Sequence, residues 1–415
     1  MRKEVSNMTT VHETLDTPVL GSYDVIVCGG GIAGISAAVA AARNGASVLL
    51  LEKTISLGGL ATIGLISWYE PLCDGKGTRV MNGIAFELLK LATRYGFHTL
   101  AKEWSGQMLH AGTDRRLATH FSHSMFAMAL DEWLLGAGVT LLLDTVVTAP
   151  LVRDGHIEGL FTENKDGRSF YRAGVVIDAT GDADIAYRSG VPCEDGVNYL
   201  TFIGYRSDLE SASRAAQDHD IGLVRRWENS GADLWGRGHP EGLAVYRGIS
   251  AEGLTDFVVR GRRALFQRAR DEDAFSRDYS VLPAMPQFRK TRRIIGRQTL
   301  RTEDAGVVSP SAIGTVPDFF NRGAVYEIPY ETLYSSEIDN LYAAGRCISS
   351  TGWAWDVTRV IPGAAATGQA AGTAAALCIS AGCGNGGISV SQLQRHLSQD
   401  GVWIHCGDGG PEESV

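Results

Sequence analysis

Residues 23–53 read YDVIVCGGGIAGISAAVAAARNGASVLLLEK, and the order of residue types in this stretch decides the fold. Tyr23 to Cys28 is a short apolar run rich in Val and Ile, the pattern of a strand buried on both faces. Gly29, Gly31 and Gly34 fill the glycine positions of a G-x-G-x-x-G turn, with Ile32 and Ala33 inside it. The first permits a tight turn, the second lets a diphosphate approach the backbone, and the third lets helix and strand pack closely. Ile35 to Arg43 is mostly alanine, a strong helix former with a small profile. Its N-terminus presents free N–H groups and a positive dipole end to an anion. Asn44-Gly45 closes the helix, Ser47 to Leu51 is a second strand, and Glu52 follows, where a carboxylate can accept the hydroxyls of an adenosine ribose. The stretch predicts a dinucleotide-binding βαβ unit.

Glu52-Lys53 leads into Gly58-Gly59-Leu60-Ala61-Thr62, a second glycine turn. Strand-and-glycine elements recur at Asp178-Ala179-Thr180-Gly181 and at Tyr342-Ala343-Ala344-Gly345-Arg346. On these residues the chain resembles the glutathione-reductase-like flavoproteins, and more narrowly the FAD-dependent oxidoreductases related to fumarate reductase and the thiazole-biosynthesis flavoproteins. The resemblance implies FAD as the cofactor. It implies that the Gly59 turn runs beside the diphosphate and ribitol, and that the Ala179-Thr180-Gly181 turn passes the adenosine side. Many relatives carry Asp where this chain has Arg346, which leaves the ribitol contact to backbone N–H groups or to the guanidinium. The small-residue helix that opens at Pro362-Gly363, with Ala364 and Ala365, is implied to aim its N-terminus at the pyrimidine edge of the flavin, where reduction places negative charge. Lys53 and Val147 complete the expected cofactor site.

The fold class expected is α/β: a Rossmann-like FAD-binding domain with a parallel sheet and a three-stranded β-meander, plus a mixed α+β substrate domain. At 415 residues the chain is long enough for both. The expected division is an N-terminal tail over 1–20, the first part of the FAD domain over 21–193, and a substrate domain over 194–334. The second part of the FAD domain follows over 335–386, then a C-terminal helix and tail over 387–415, frayed from Gly407. The meander is expected at Thr145–Val152, Ile157–Glu163 and Ser169–Ala173, with turns at Asp154-Gly155 and Asp166-Gly167 and a separate strand at Val175–Ile177. A net charge of -9 with no long basic run argues against nucleic acid as a partner. No apolar stretch has transmembrane length and Met1 to Leu20 lacks a signal-peptide core, so no membrane is expected and the cytoplasm is. The seven cysteines are scattered and form no C-x-x-C, so neither a metal site nor a redox pair is expected.

Leu282 to Arg301 carries five arginines and one lysine between 289 and 301. The run is either a solvated face or an anion site, and by resemblance Arg289, Arg292 and Arg293 favour an anionic substrate or the flavin's charge. Trp68, Tyr69 and Glu70, from the segment after the second glycine turn, are candidates for the ring face. So is the expected loop from Trp353 to Pro362, in which Arg359 reaches the flavin edge or a substrate carboxylate and Asp356 serves as a proton acceptor. Arg359, Asp356, Tyr69, Arg289 and Arg292 are therefore the expected catalytic set. His120 and His123 are expected to share a helix face in a structural role. The function expected is a dehydrogenase or reductase passing a hydride between FAD and a small organic substrate, an anionic one if the arginines face it. A separate electron donor or acceptor completes the cycle, because no second fingerprint supplies a built-in NAD(P)H domain. A flavin monooxygenase, or a flavin subunit active only with an electron-transfer partner, are the alternatives, and assembly into a homo-oligomer stays open.

Overall fold

The computed structural model describes residues 10–100 and 117–409. The first nine residues of the expected tail, and the expected frayed end from 410, lie outside the described residues.

β1 (Val19–Cys28) starts within the expected tail and buries its last four residues completely. α1 (Ile32–Arg43) leads to β2 (Val48–Leu51), parallel to β1 with Val25 opposite Val48. Two short strands, β3 (Trp68–Tyr69) and β4 (Thr119–His120), pair across α2 (Ile84–Arg94) in the chain. α3 (His123–Gly136) begins after Ser122, whose Oγ accepts from the Met125 N–H at 3.4 Å. His120 therefore lies in β4 and not on the helix face expected for it. Its ring sits between Trp68 and Trp227 at 4.6 and 4.8 Å, while His123 stacks on Tyr205 at 5.3 Å.

β5 (Thr140–Leu142) adds to the free edge of β2. β6 (Val146–Arg153), β7 (His156–Asn164) and β8 (Gly167–Asp178) form the meander. Asp154 and Gly155 both have positive φ (48° and 76°), the primed turn that matches strand twist. The third meander strand does not stop at Ala173. β8 is continuous: its first half pairs antiparallel with β7, and from Phe170 to Asp178 it lies parallel to β1. β1 supplies partners on both sides of Gly174, Tyr23 for Ala173 and Val25 for Val175, so no break is needed.

α4 (Asp184–Arg188) and β9 (Cys193–Asp195) end this pass. The chain then builds a small antiparallel sheet from β10 (Thr201–Asp208), β11 (Arg226–Gly231) and β12 (Arg277–Val281), in the order β11-β10-β12. α5 (Leu209–Asp218) and α6 (Ala251–Ala269) accompany it. This unit has its own apolar cluster, including Phe202, Phe257, Leu265 and Phe288. β13 (Arg292–Ile294) brings the chain back and pairs antiparallel with β9, closing the excursion at its base.

β14 (Ala312–Pro317) and β15 (Val325–Pro329) form a hairpin, and β16 (Leu341–Ala343) joins β8 in parallel. α7 (Gly352–Thr358), α8 (Ile361–Ala381) and α9 (Val390–Gln399) follow. The hairpin falls inside the segment expected to cover substrate, yet Ala312, Ile313, Tyr326 and Ile328 are buried in the same cluster as α1 and α8. The stretch Trp353 to Pro362, expected as a loop, is mostly helical. Pro362 sits in the first turn of α8, where a missing N–H costs nothing. The seven-stranded sheet runs β5-β2-β1-β8-β7-β6, with β16 on β8.

α1 and α8 are rich in Ala and Gly because they cross backbone against backbone. A Cβ at Gly368 would overlap Ala33 O, and one at Gly372 would overlap Ala37 O. Among the described residues no helix is long and apolar enough to cross a membrane.

Candidate cofactor and substrate site

A cavity of about 360 Å³ opens beside Cys28, Leu51 and Ala179, at the C-terminal ends of β1, β2 and β8. Open α/β sheets bind their ligands at this end of the strands. Separate stretches of chain meet in its wall: Gly29, Gly31, Ile32 and Ala33; Glu52, Lys53, Gly59, Leu60 and Ala61; Val147; Ala179, Thr180 and Gly181; Gly345 and Arg346; and Ala364. Four expected residues stay behind the wall. Gly34 packs on Gly29 O, Thr62 Oγ1 is turned to Leu57 O, Gly363 lies on Thr358 O, and Ala365 is buried in the core.

Gly29 has φ +104°, and a Cβ there would meet Ala179 O at 2.5 Å. Gly31 is the opposite case: nothing lies within 4 Å of the place its Cβ would take, so the backbone faces open cavity. No side chain caps α1 at Gly31, which leaves its first N–H groups available to a ligand. The Gly58 N–H donates to Gly30 O at 2.8 Å and stacks the second glycine turn on the first. A Cβ at Gly345 would stand 2.7 Å from the Ala33 Cβ, so the third turn reaches the same place. This bare-backbone cradle at a helix N-terminus fits the diphosphate of a dinucleotide.

Glu52 lies in the same wall, 8% exposed. Its Oε2 accepts from the Gly30 N–H at 2.6 Å and its Oε1 from the Thr54 N–H at 2.7 Å. Those bonds orient the carboxylate and tie it to the glycine turn. Glu52→Ala is expected to remove an acceptor worth about 1.5–3 kcal/mol per charge-assisted bond and to weaken FAD binding at least tenfold. Flavin retained on dialysis measures this, and wild-type retention in the variant would take Glu52 out of the site. Arg346 is a clasp more than a ligand. Its Nε donates to Gly181 O at 2.6 Å, its Nη2 to Asp182 at 2.8 Å and its Nη1 to Phe288 O. Its charge is thus met by the protein's own Asp182 and is not offered to ribitol.

Met285, Arg289, Arg359 and Ile361 also line the wall. Arg289 donates from Nη1 to Asp233 O at 2.9 Å. Burial, joined by the charge of Arg359, pulls its guanidinium down to about 10 against the opposing pull of Asp356 and Asp233. Arg359 Nη2 lies 2.9 Å from Asp356 Oδ1, and Lys290 Nζ lies 2.7 Å from Asp356 Oδ2. Burial would raise the Asp356 carboxyl, but Arg359 and then Lys290 outweigh it and hold it below the usual carboxylate range. Asp356 is therefore an anchor between two cations and a poor proton acceptor, which corrects the role expected of it.

Two other expectations change. Tyr69 is fully buried and its hydroxyl donates to Ala85 O, so it does not reach the cavity. Arg292 lies over the Tyr187 ring at 4.0 Å, beside Asp184 at 3.4 Å and Asp195 at 3.8 Å. With Arg293, which pairs with Glu194, it belongs to the β9–β13 junction. The arginine run is neither one solvated face nor one anion site, because entry into β13 divides it.

Glu70 does not line the cavity either, but it sits against two residues that do, Arg359 and Ile361. Its Oε2 accepts from the Ile361 N–H at 3.4 Å, at the start of α8. Burial lifts its carboxyl to about 7, against the pull of its own backbone N–H, of Arg359 and of Ile361. The sequence places Trp68, Tyr69 and Glu70 together at the ring face and singles out Tyr69 for catalysis, whereas the turn of the backbone after β3 favours Glu70. Among the described residues no group of three or more His, Cys, Asp or Glu side chains is placed to hold a metal ion.

The chain is 29% identical over 181 residues to the tRNA uridine 5-carboxymethylaminomethyl modification enzyme of Bacillus subtilis (strain 168), covering 41% of this chain and 27% of that one. It is 26% identical over 211 residues to the digeranylgeranylglycerophospholipid reductase of Methanoculleus marisnigri, covering 46% and 48%. The chain thus spans about half or less of the length of these curated relatives. The crystal structure of p-nitrophenol 4-monooxygenase from Pseudomonas putida DLL-E4 superposes with a TM-score of 0.48 at 13% identity, over 91% of this chain and 84% of that one. Residues 24–200 and 313–397, more than half of the sequence, match the profile of the FAD dependent oxidoreductases; the chain belongs to that family, it is an oxidoreductase, and FAD is its cofactor.

Proposed function

We propose that the protein is a dehydrogenase or reductase that passes a hydride between FAD and a small anionic organic molecule, with a separate electron donor or acceptor closing the cycle. One observation carries this reading: Arg289 and Arg359 line the same cavity, close enough for the charge of one to depress the other. Asp356 already meets Arg359, so the cost of holding two desolvated cations together falls on Arg289 until a ligand brings negative charge to it. FAD, when bound, supplies the two-electron chemistry, and the protein orients the substrate. Arg289 and Arg359 bind and align the anion, and the N-terminus of α8 adds positive potential beside them. Glu70, with its carboxyl near 7, holds or takes a proton at that end of the site. The β10–β11–β12 unit, joined to the flavin domain at β9 and β13, is the part we assign to covering the substrate.

The test is anaerobic bleaching of the bound flavin by a panel of small organic acids and their neutral amides, across pH. Acids should bleach it and amides should not; equal rates for both would end the anion reading. The wild-type rate should turn over near pH 7, and Glu70→Gln should flatten that profile. The folded state binds the Glu70 proton more tightly than the unfolded chain does, so its stabilising contribution is complete at low pH and lost as pH rises through about 7. Glu70→Gln should accordingly gain stability relative to wild type above pH 7, which a melting series measures independently of turnover.

A further inference from the structure

We propose that the substrate lodges in a second cavity on the far side of Arg289, and that it is a carboxylate carried on an aromatic or flat apolar body. This rests on the anionic-substrate reading above. The cavity, of about 310 Å³, is lined by Tyr199, Leu234, Trp235, Arg289, Lys290 and Asp356 among others, and Arg289 is the residue it shares with the cofactor cavity. A volume of this size lies at the small end of ligand pockets and suits one ring or a short chain.

Its polar groups divide into those already engaged and those that are not. Asn198, 4% exposed, accepts from the Arg289 and Lys290 N–H groups at 2.8 and 2.9 Å and donates to Lys290 O and Tyr246 O. It fixes the backbone that aims both cations. Gln287 accepts from the Ile203 N–H at 2.8 Å and donates to Gly64 O at 2.7 Å, so it too is structural. Among the described residues, the Tyr199 hydroxyl makes no hydrogen bond, Arg289 uses only Nη1, and the Lys290 ammonium reaches only Asp356. Three cations, Arg289, Lys290 and Arg359, gather around Asp356, and the other carboxylate that pulls on Arg289, Asp233, is itself paired with Arg237, so the arrangement is completed by a ligand anion.

The rest of the wall specifies the body. The Tyr199 ring is held against Gly236, where a Cβ would stand 2.7 Å away, and edge-on to His239 at 5.5 Å. Trp235 is held edge-on by Phe320 at 5.3 Å. Two oriented rings and Leu234 offer apolar surface that a bare anion leaves wet, whereas an aryl or flat alkenyl group covers it.

Calorimetric titration of the FAD-loaded full chain with benzoate, benzamide and acetate tests this. Benzoate should bind at least tenfold more tightly than either of the others. Leu234→Trp, which fills the cavity without touching a charge, should weaken benzoate at least tenfold and leave acetate within about twofold. Tyr199→Ala, which adds no volume, should weaken benzoate several-fold, and an unchanged flavin absorbance spectrum checks that each variant is folded. Benzoate no tighter than acetate, or benzoate unaffected in both variants, overturns the pocket assignment and leaves the anion reading in place. Absence of binding by every carboxylate to the wild-type protein overturns both.

Discussion

Gly34→Ala is expected to yield protein that no longer retains FAD. The added Cβ falls inside the contact distance of Gly29 O, and the Ala179 Cβ stands 3.2 Å away on the other side. One neighbour is backbone and the other is a strand-end residue, so neither can move aside as a flexible side chain would. Relief requires α1 to lift from β1, which takes the helix N-terminus away from the cavity. Overpacking of this kind typically costs about 1–3 kcal/mol, and a backbone clash belongs at the upper end. Gly31→Ala is the informative contrast. With nothing within 4 Å of its Cβ, the cofactor-free protein should melt as wild type does, while the methyl group intrudes on the space for the diphosphate and FAD binding falls. Flavin absorbance per chain and the melting temperature of the stripped protein separate the two effects. A Gly34→Ala protein that keeps wild-type flavin content would show that the helix–strand contact is not what shapes the cradle.

Arg289→Met should lower kcat/KM for the anionic substrate by about 2–5 kcal/mol, roughly thirtyfold to several thousandfold, with normal flavin content. Removing one partner leaves the substrate anion desolvated and short of a donor, and Arg359 cannot make up the loss because Asp356 already takes two of its N–H groups. Arg289→Lys should recover part of the loss, since charge returns without the planar fork. Arg292→Met supplies the control from the same run: it should lower stability through the β9–β13 junction and leave KM alone. A KM effect at Arg292 equal to that at Arg289 would mean that the run acts as a diffuse field.

The flavin half of the molecule is legible in the primary structure because its demands are local. A glycine turn needs φ > 0 or a missing Cβ at set spacing, a buried parallel strand needs an unbroken apolar run, and tightly crossed helices need Ala and Gly. Each requirement selects residue types within a few positions, so βαβ, the meander and the small-residue helix could be read before any coordinates. The same locality limited the boundaries. Val19 and Leu20, 51% and 55% exposed, carry no burial pattern, and only pairing with β8 makes them strand.

The substrate side depends on groups far apart in the chain. Arg289, Arg292 and Arg293 are indistinguishable as residue types, yet β13 turns two of them into a strand junction while Asn198 aims the first at the cavity. Asp356 reads as a base until Lys290 and Arg359 are seen on either side of it, and Glu70, a ring-face candidate by sequence, shows its raised carboxyl only once α8 closes over it. Charge, burial and hydrogen bonding at such positions are sums over neighbours that only the folded chain brings near. The sequence alone therefore determined the cofactor, and tertiary packing decided which charges line the cavity and which are spent within the fold.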